Sequence, residues 1–192
     1  LEGDDYWTDP HKLQKQAEIM DADPEVVICG HNVALKREDG STGPDHLVPK
    51  GFNKSRMYME DVFAAELPFC SLMLRSTALQ KVPVDRPWGH RELLTYVSEH
   101  GAVEYREEIM ATYRMHNTSI WNPLSPLVKF RAAISLREEI DAYFGYKYHN
   151  QIAPTIEESW FGIAAYYVEQ AAVRGTWAEP RAPLLIEVNE GP

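Results

Sequence analysis

The chain has 192 residues, 44% of them hydrophobic and 25% charged, which is typical of a globular protein with a sizeable core. Its formal net charge of −10 argues against nucleic acid or an anionic membrane as the main partner. The two cysteines, Cys29 and Cys70, each lie within an apolar run, which predicts buried free thiols and a reducing compartment.

The first half of the sequence predicts helices and strands in alternation. Asp9 and Pro10 are typical of a helix start, with Asp9 as the N-cap. That helix is expected to bury apolar residues at helical spacing, namely Leu13, Ala17 and Met20. The elements expected after it are a strand over 26–35, a turn at 38–41, a loop over 43–57, a short helix over 59–66, a strand over 70–74 and a short helix from Ser76.

The second half predicts three helices and a hairpin. The elements expected before the last helix are a helix over 89–100, a hairpin with strands over 103–105 and 108–115, and a long helix from Ser125 to Gly145. The last helix is expected to begin at a capping box formed by Thr155 and Glu158. Because it is apolar on two faces, it predicts two neighbours, and an irregular tail is expected from residue 179.

The first residues carry an acidic cluster, Glu2-Gly3-Asp4-Asp5, followed by the aromatic pair Tyr6-Trp7. Hard cations such as Mg²⁺ and Mn²⁺ prefer oxygen ligands and keep coordination positions for water and substrate phosphates. The acidic pair therefore predicts a metal-bridged diphosphate site. Paired aspartates are also common at helix N-termini, where they cap the helix and complement its dipole, and the pair alone leaves this alternative open.

Four later segments give the acidic cluster its context. They are Cys29-Gly30-His31-Asn32-Val33, Pro68-Phe69-Cys70-Ser71-Leu72-Met73-Leu74-Arg75, the stretch from Gly89-His90-Arg91-Glu92 to Glu99-His100-Gly101, and Tyr113-Arg114-Met115-His116-Asn117-Thr118-Ser119-Ile120-Trp121. With the first segment, they resemble the second half of family 2 glycosyltransferases of the GT-A fold. The resemblance covers roughly residues 1–150 and depends on the order of the segments.

The resemblance implies roles for individual residues. Asp5, with Asp4, would hold a Mn²⁺ or Mg²⁺ cofactor, and Asp4 would also lie beside the ribose and diphosphate of the donor. Arg114 and His116 match positions that approach the diphosphate or its metal, which suits the chemistry of guanidinium and imidazole groups. The residues implied on the acceptor side are Ser71, Arg75 and Trp121. As alternatives, Arg114 suits a surface ion pair, His116 a loop cap and Trp121 a core position.

One position departs from the family pattern. Inverting enzymes of this family carry a carboxylate as general base at the start of the helix that here begins at Gly89, and the match puts His90 there. Histidine can act as a base near neutral pH, so we take His90 and Glu92 as the two candidates for the catalytic base. The two side chains would point about 200° apart around a helix, so they are not expected to serve one site together.

The resemblance also implies the fold class and the domain organisation. We expect an α/β chain with a partial GT-A-like, or Rossmann-like, mixed sheet flanked by helices. Residues 1–150 would form the metal and acceptor part of the domain, and residues 151–192 a C-terminal helix and tail. The family's nucleotide-binding half is not in this sequence, so we expect a fragment of a longer protein or an edge that a second chain covers.

The leading hypothesis is an inverting glycosyltransferase that moves a sugar from a nucleotide-diphosphate donor to a hydroxyl of a glycan or other acceptor. The alternative is a non-catalytic or degenerate carbohydrate-binding or assembly domain of the same fold. A metal-dependent phosphohydrolase is a weaker hypothesis, because we find no second cluster of acidic or histidine residues. We expect no nucleic-acid partner, no transmembrane segment, a cytoplasmic or inner-membrane-face location, and a homo-oligomer through the last helix or the sheet edge.

Overall fold

A computed structural model of the chain describes residues 3–43, 46–83, 89–118, 121 and 123–173. Within these residues a five-stranded mixed sheet is flanked by helices, which confirms the α/β class. The strands are β1 (Tyr6–Trp7), β2 (Val26–Arg37), β3 (Arg56–Met57), β4 (Met73–Leu74) and β5 (Ala102–Met115). The helices are α1 (Lys12–Ala22), α2 (Met59–Val62), α3 (Ser76–Leu79), α4 (His90–Ser98), α5 (Pro126–Tyr143) and α6 (His149–Val173).

Two long parallel strands, β2 and β5, form the centre of the sheet. β4 pairs antiparallel with the outer edge of β2, while β3 and β1 pair antiparallel with β5 at its beginning and its end, respectively. The hairpin expected within 103–115 is wrong, because β5 is one continuous strand. His31 lies opposite Arg106 but Asn32 lies opposite Ile109, so Glu107 and Glu108 form a bulge in this strand.

The core lies between the central strands and the helices that cover them. The largest cluster joins Ile28 of β2 and Val103 of β5 to Leu93 and Val97 of α4. The predicted helix over 89–100 and its apolar side are therefore confirmed. A smaller cluster packs Met20 of α1 on the start of β2.

Helix α1 differs from its prediction in both its start and its buried face. Asp9 accepts a hydrogen bond from the backbone N–H of His11, and the helix itself begins only at Lys12. Its buried residues are Lys12, Gln16 and Met20, whereas Leu13 is 47% exposed. The helix is therefore rotated relative to the apolar pattern, and two polar side chains face inward.

The segment between the central strands is less regular than predicted. The expected loop contains β3, and the expected helix over 59–66 shortens to α2. The strand predicted over 70–74 is wrong in its first half, where Phe69–Ser71 form a 3-10 turn and only Met73–Leu74 are strand. Cys29 and Cys70 are both buried and are not joined by a disulfide bond, in agreement with the prediction.

The last two helices pack against each other and against the rest of the domain. Ser125 caps α5 as predicted, because its hydroxyl accepts a hydrogen bond from the N–H of Val128. The predicted start of the last helix is wrong, since α6 begins at His149 and contains Pro154. The boundary expected at residue 150 thus lies inside α6, and the expected tail from 179 lies outside the described residues. No helix in the described ranges is both long and apolar enough to span a membrane.

Candidate functional site

The acidic pair lies at the end of the sheet where β2 and β5 finish. β1 runs antiparallel to β5 with Tyr6 opposite Thr112, and this register brings the preceding residues, Asp4 and Asp5, alongside Arg114. Ligands of open α/β sheets gather at the carboxyl ends of parallel strands. The fold therefore brings the acidic pair and the Tyr113-Arg114-Met115-His116 segment together at such an end.

The carboxylate of Asp5 is buried, and one of its two oxygens is hydrogen-bonded to the backbone. Its Oδ1 accepts a hydrogen bond from the N–H of Arg114 at 2.9 Å. Its Oδ2 has no hydrogen-bond partner among the residues that the structure describes, and the residue is only 6% exposed. A buried carboxylate oxygen without a partner is costly, which makes this oxygen suited to a cation.

Asp4 is the more open of the two carboxylates and is bound by His116. Nε2 of His116 lies 2.8 Å from Oδ2 of Asp4, and Nδ1 of the same ring lies 2.7 Å from Oγ1 of Thr118. The hydrogen bond from His116 and the charges of His116 and Arg114 hold the pKa of Asp4 below its ordinary value. Asp4 is therefore ionised at neutral pH.

Arg114 lies over the acidic pair with its side chain at the surface. Its guanidinium donates to the backbone oxygen of Asp4 at 3.4 Å, a long bond that uses one of its five N–H groups. The remaining donors can bind a phosphate group.

The residues of the pair fit a divalent cation that takes much of its coordination from elsewhere. Within the described part of the chain, no three His, Cys, Asp or Glu side chains are arranged to hold a metal ion together. Mg²⁺ commonly binds through one or two carboxylates and takes its other ligands from water and phosphates. Asp5 and Asp4 would supply such carboxylates to a bound cation, while Nε2 of His116 is engaged with Asp4.

A chain of contacts connects the acidic segment to His90. The indole N–H of Trp7, on β1, donates to the backbone oxygen of Cys70 at 3.2 Å. The ring of the adjacent Phe69 stacks on the ring of His90, with centroids 3.7 Å apart and planes 7° apart. His90 is exposed at the first position of α4, so its ring is held in place without being buried.

Glu92, the other candidate base, has a structural role. Its Oε2 accepts the N–H of Gly89 at 3.0 Å and thereby caps α4. Of the two candidates, His90 is the more exposed residue.

The three residues implied on the acceptor side are dispersed. Trp121 is exposed, with Nζ of Lys129 lying 5.9 Å from its ring centroid. Ser71 is fully buried and its hydroxyl donates to the backbone oxygen of Pro68. No observation tests an acceptor role for these residues, which stays a prediction.

Arg75 lies far from the acidic pair. Its guanidinium donates to the backbone oxygens of Met20, Asp23 and Val26, where α1 ends and β2 begins. Arg114 pairs with the other end of β2, at Lys36. At about 3.3 Å per residue, the two ends of β2 are roughly 30 Å apart. The contacts of Arg75 fasten α1 to the sheet.

Lys12 and Gln16 were missed by the sequence analysis. Lys12 is 1% exposed, its Nζ donates to Oε1 of Gln16 at 2.7 Å, and the same Nζ lies 4.6 Å from the ring centroid of Trp7. Gln16 in turn donates to the backbone oxygens of Cys29 and Ser71. Burial lowers the pKa of Lys12. The sequence does contain a signal for this buried face. Lys12, Gln16 and Met20 follow one another every four residues, as on one side of a helix, but the first of them is charged.

Comparison with known proteins identifies relatives without a described activity. Over 127 residues, 63% of the chain, it is 31% identical to uncharacterized proteins of Mycobacterium bovis and of Mycobacterium tuberculosis strains CDC 1551 and H37Rv. The match covers 35% of each relative, so the chain spans about a third of the length of these proteins. No protein-family model matches the chain.

Proposed function

We propose that this chain forms the metal and acceptor side of a GT-A-like inverting glycosyltransferase of family 2. The donor would be a nucleotide-diphosphate sugar and the acceptor a hydroxyl group of a glycan or another molecule. Two long-range hydrogen bonds support the proposal. One joins Asp4 to His116, 112 positions apart, and the other joins Asp5 to Arg114, 109 positions apart. These are the residues that the resemblance assigns to one site.

In this proposal Asp5 and Asp4 hold Mn²⁺ or Mg²⁺, and the bound metal offsets the charge that develops on the leaving diphosphate. The unpartnered buried Oδ2 of Asp5 supports this assignment. Arg114 binds the phosphate oxygens through its exposed guanidinium. His116 keeps Asp4 ionised and oriented by the hydrogen bond to its Oδ2.

His90 is the proposed general base. A ring nitrogen takes the proton of the acceptor hydroxyl as the hydroxyl oxygen bonds to the anomeric carbon. The bond from that carbon to the diphosphate oxygen breaks on the opposite side, so the anomeric configuration is inverted. The stacking of Phe69 on His90 supports this role, because it fixes the ring while leaving it exposed.

A second candidate is a carbohydrate-binding or assembly domain that keeps the fold without the chemistry. It is favoured by one observation: His90 stands where the family has a carboxylate, and the nearby carboxylate of Glu92 caps α4. The variant His90→Asp distinguishes the two functions. Transfer activity in the parent supports the enzyme, whereas activity that appears only in His90→Asp supports the degenerate domain.

The direct test is calorimetric titration of the chain with UDP and with GDP, each with and without Mn²⁺. Asp5→Asn is the test variant. Asp141→Asn is a matched control, because Asp141 is also buried and, like Asp5, has one carboxylate oxygen without a partner among the described residues. The hydrogen bond of Asp141 is to His149 rather than to the backbone of Arg114. We expect manganese-dependent binding in the parent and the control but not in Asp5→Asn.

Equal binding by Asp5→Asn and the parent would show that Asp5 is not the metal ligand. If neither nucleotide binds to the parent in the presence of manganese, the metal and diphosphate site does not function in this chain.

A further inference from the structure

Helix α6 presents two different faces to its surroundings. Ile152, Thr155, Ser159 and Ile163 are buried on one side, towards the rest of the domain. Five large residues of α6 are each more than half exposed. Val173 lies at the end of the helix, and the other four share one side, namely Trp160, Phe161, Tyr167 and Val168. At 100° per residue these four residues are centred about 135° from the buried side. We call them the outer stripe of α6.

The spacing of the outer stripe is that of a helix-pairing seam. Trp160, Ala164, Tyr167 and Ala171 follow one another at intervals of four, three and four residues, as the apolar positions of a coiled coil do. Phe161 and Val168 flank this row. The stripe therefore fits a second helix along its length.

The charges of α6 favour a protein over a lipid surface as the occupant. Between His149 and Val173 the sequence contains no lysine or arginine, and its acidic residues are Glu157, Glu158 and Glu169. Helices that lie on membranes are rich in basic residues on their polar face. The net charge of −10 disfavours an anionic membrane further.

We propose that the outer stripe of α6 pairs with the same stripe of a second copy of this chain, antiparallel and about a two-fold axis at Ala164. In this register Trp160 packs beside Tyr167 of the second copy, and Phe161 packs beside Val168. The two-fold axis repeats each contact, so one patch serves both copies. The indole meets a tyrosine ring, and the phenylalanine ring meets a small aliphatic side chain.

The same register keeps the acidic residues apart. Glu157 faces Ala171 and Glu158 faces Gln170, so neither carboxylate lies opposite another carboxylate. An interface built on one patch needs this self-complementarity, because every like-charge contact would occur twice.

The area of the stripe is sufficient for a dimer. From the size of aromatic side chains, its half-exposed residues offer roughly 500 Å² of apolar surface per copy. Pairing would then bury about 1,000 Å² in total, which is near the lower limit of specific interfaces. Ala164 at the centre lets the two backbones approach closely. A monomer would leave an unusually long apolar strip in water.

The test is the molar mass of the full chain in solution, measured by light scattering after gel filtration over a wide concentration range. We expect about twice the 22.0 kDa of one chain. Val168→Asp should yield the monomer. Val128→Asp is the matched control, because Val128 on α5 is exposed to a similar extent, 47% against 52%, and lies outside the stripe. Both variants replace an exposed side chain, and circular dichroism verifies their folding.

A cross-link tests the orientation. Ala164→Cys places a thiol at the two-fold axis and should give a disulfide-linked dimer on mild oxidation, since both native thiols are buried. Ser135→Cys, at an exposed position of α5, should not. A parent that stays monomeric at every concentration would overturn the proposal and leave the stripe to a different partner. A dimer that persists in Val168→Asp, or that does not cross-link through Ala164→Cys, would overturn it equally.

Discussion

Nε2 of His116 lies 2.8 Å from Oδ2 of Asp4, a residue 112 positions earlier in the chain. Because Nδ1 of the same ring contacts the hydroxyl of Thr118, the imidazole is held at both of its nitrogens. The ring therefore orients Asp4 from one side, while the backbone of Arg114 orients Asp5 from the other. The two carboxylates are fixed by different means, and their substitution should have different consequences.

Replacing His116 should raise the pKa of Asp4. The hydrogen bond from His116 is the largest cause that lowers this pKa, so His116→Ala should return it towards the ordinary value of 3.8. A lowered folded-state pKa of a carboxyl group stabilises the fold above its unfolded pKa, and this stabilisation is lost as the pH falls through the folded pKa. The variant should therefore be less stable than the parent above pH 3.8, with the difference disappearing in stronger acid.

The measurement is a carbon-13 NMR titration of the Asp4 carboxyl group in the parent and in His116→Ala. His149→Ala is the control, because His149 binds a different carboxylate, that of Asp141. An Asp4 pKa that does not move in His116→Ala would show that the bond does not form in solution.

Asp5→Asn should keep the fold and lose the response to metal. Asparagine keeps an oxygen for the N–H of Arg114 and replaces the unpartnered carboxylate oxygen by a neutral amide group. Without metal, we expect a free energy of unfolding within about 1 kcal/mol of that of the parent. Mn²⁺ should raise the melting temperature of the parent, because a ligand that binds only the folded state stabilises it, and should leave Asp5→Asn unchanged. Differential scanning calorimetry measures both, and an equal rise in both proteins would contradict the assignment.

His31 should make the protein sensitive to mild acid. Burial lowers its pKa from 6.5 to about 4, and within the described ranges its Nε2 has no hydrogen-bond partner. Between these two pH values the unfolded chain binds a proton that the folded chain does not, so stability falls as the pH falls. The shift corresponds to about 3 kcal/mol at full effect. Urea unfolding between pH 7 and pH 4 should show this loss in the parent and a smaller one in His31→Leu, and equal losses in both would contradict the prediction.

Lys12 should affect stability in alkaline solution. Burial lowers its pKa below 10.5, so the folded protein releases this proton at a lower pH than the unfolded chain does. Within that range the unfolded state binds more protons, and the stability of the parent rises with pH. Lys12→Met fills a similar volume without a charge, so its stability lacks this dependence on pH. The free energy of unfolding of the parent, relative to Lys12→Met, should therefore increase from neutral pH towards pH 10.5. A constant difference across this range would show that the lysine is not desolvated.

The sequence predicts the elements whose local pattern agrees with their packing. The strand from Val26, the cap at Ser125 and the apolar face of α4 each depend on adjacent residues that point to the same structure. Only the order of the motifs along the chain predicts that Asp4 lies near His116. The two residues are 112 positions apart, and no local pattern relates residues so distant in sequence.

The errors occur where tertiary contacts outweigh local pattern. The polar run around Glu107 predicts a turn, yet pairing with β2 keeps β5 continuous and absorbs these residues in a bulge. The capping box at Thr155 predicts a helix start there, yet α6 continues back through Pro154 to His149. The carbonyl that Pro154 leaves without a helical donor belongs to the exposed Asn150, which water can reach. Lys12 faces inward because Gln16 and Trp7 receive its ammonium group, and periodicity does not detect such pairs.

The pairing of β2 with β5 also has a kinetic consequence. These strands are joined through α2, α3 and α4, so their register is set only after a long segment has been closed into a loop, which is slow for a chain of this size. β1 adds to the outer edge of β5, and the contact between Asp5 and Arg114 closes a loop of 109 positions. We therefore expect the acidic pair to acquire its geometry late in folding, because an intermediate without the β1–β5 pairing lacks the contacts of Asp5 with Arg114 and of Asp4 with His116.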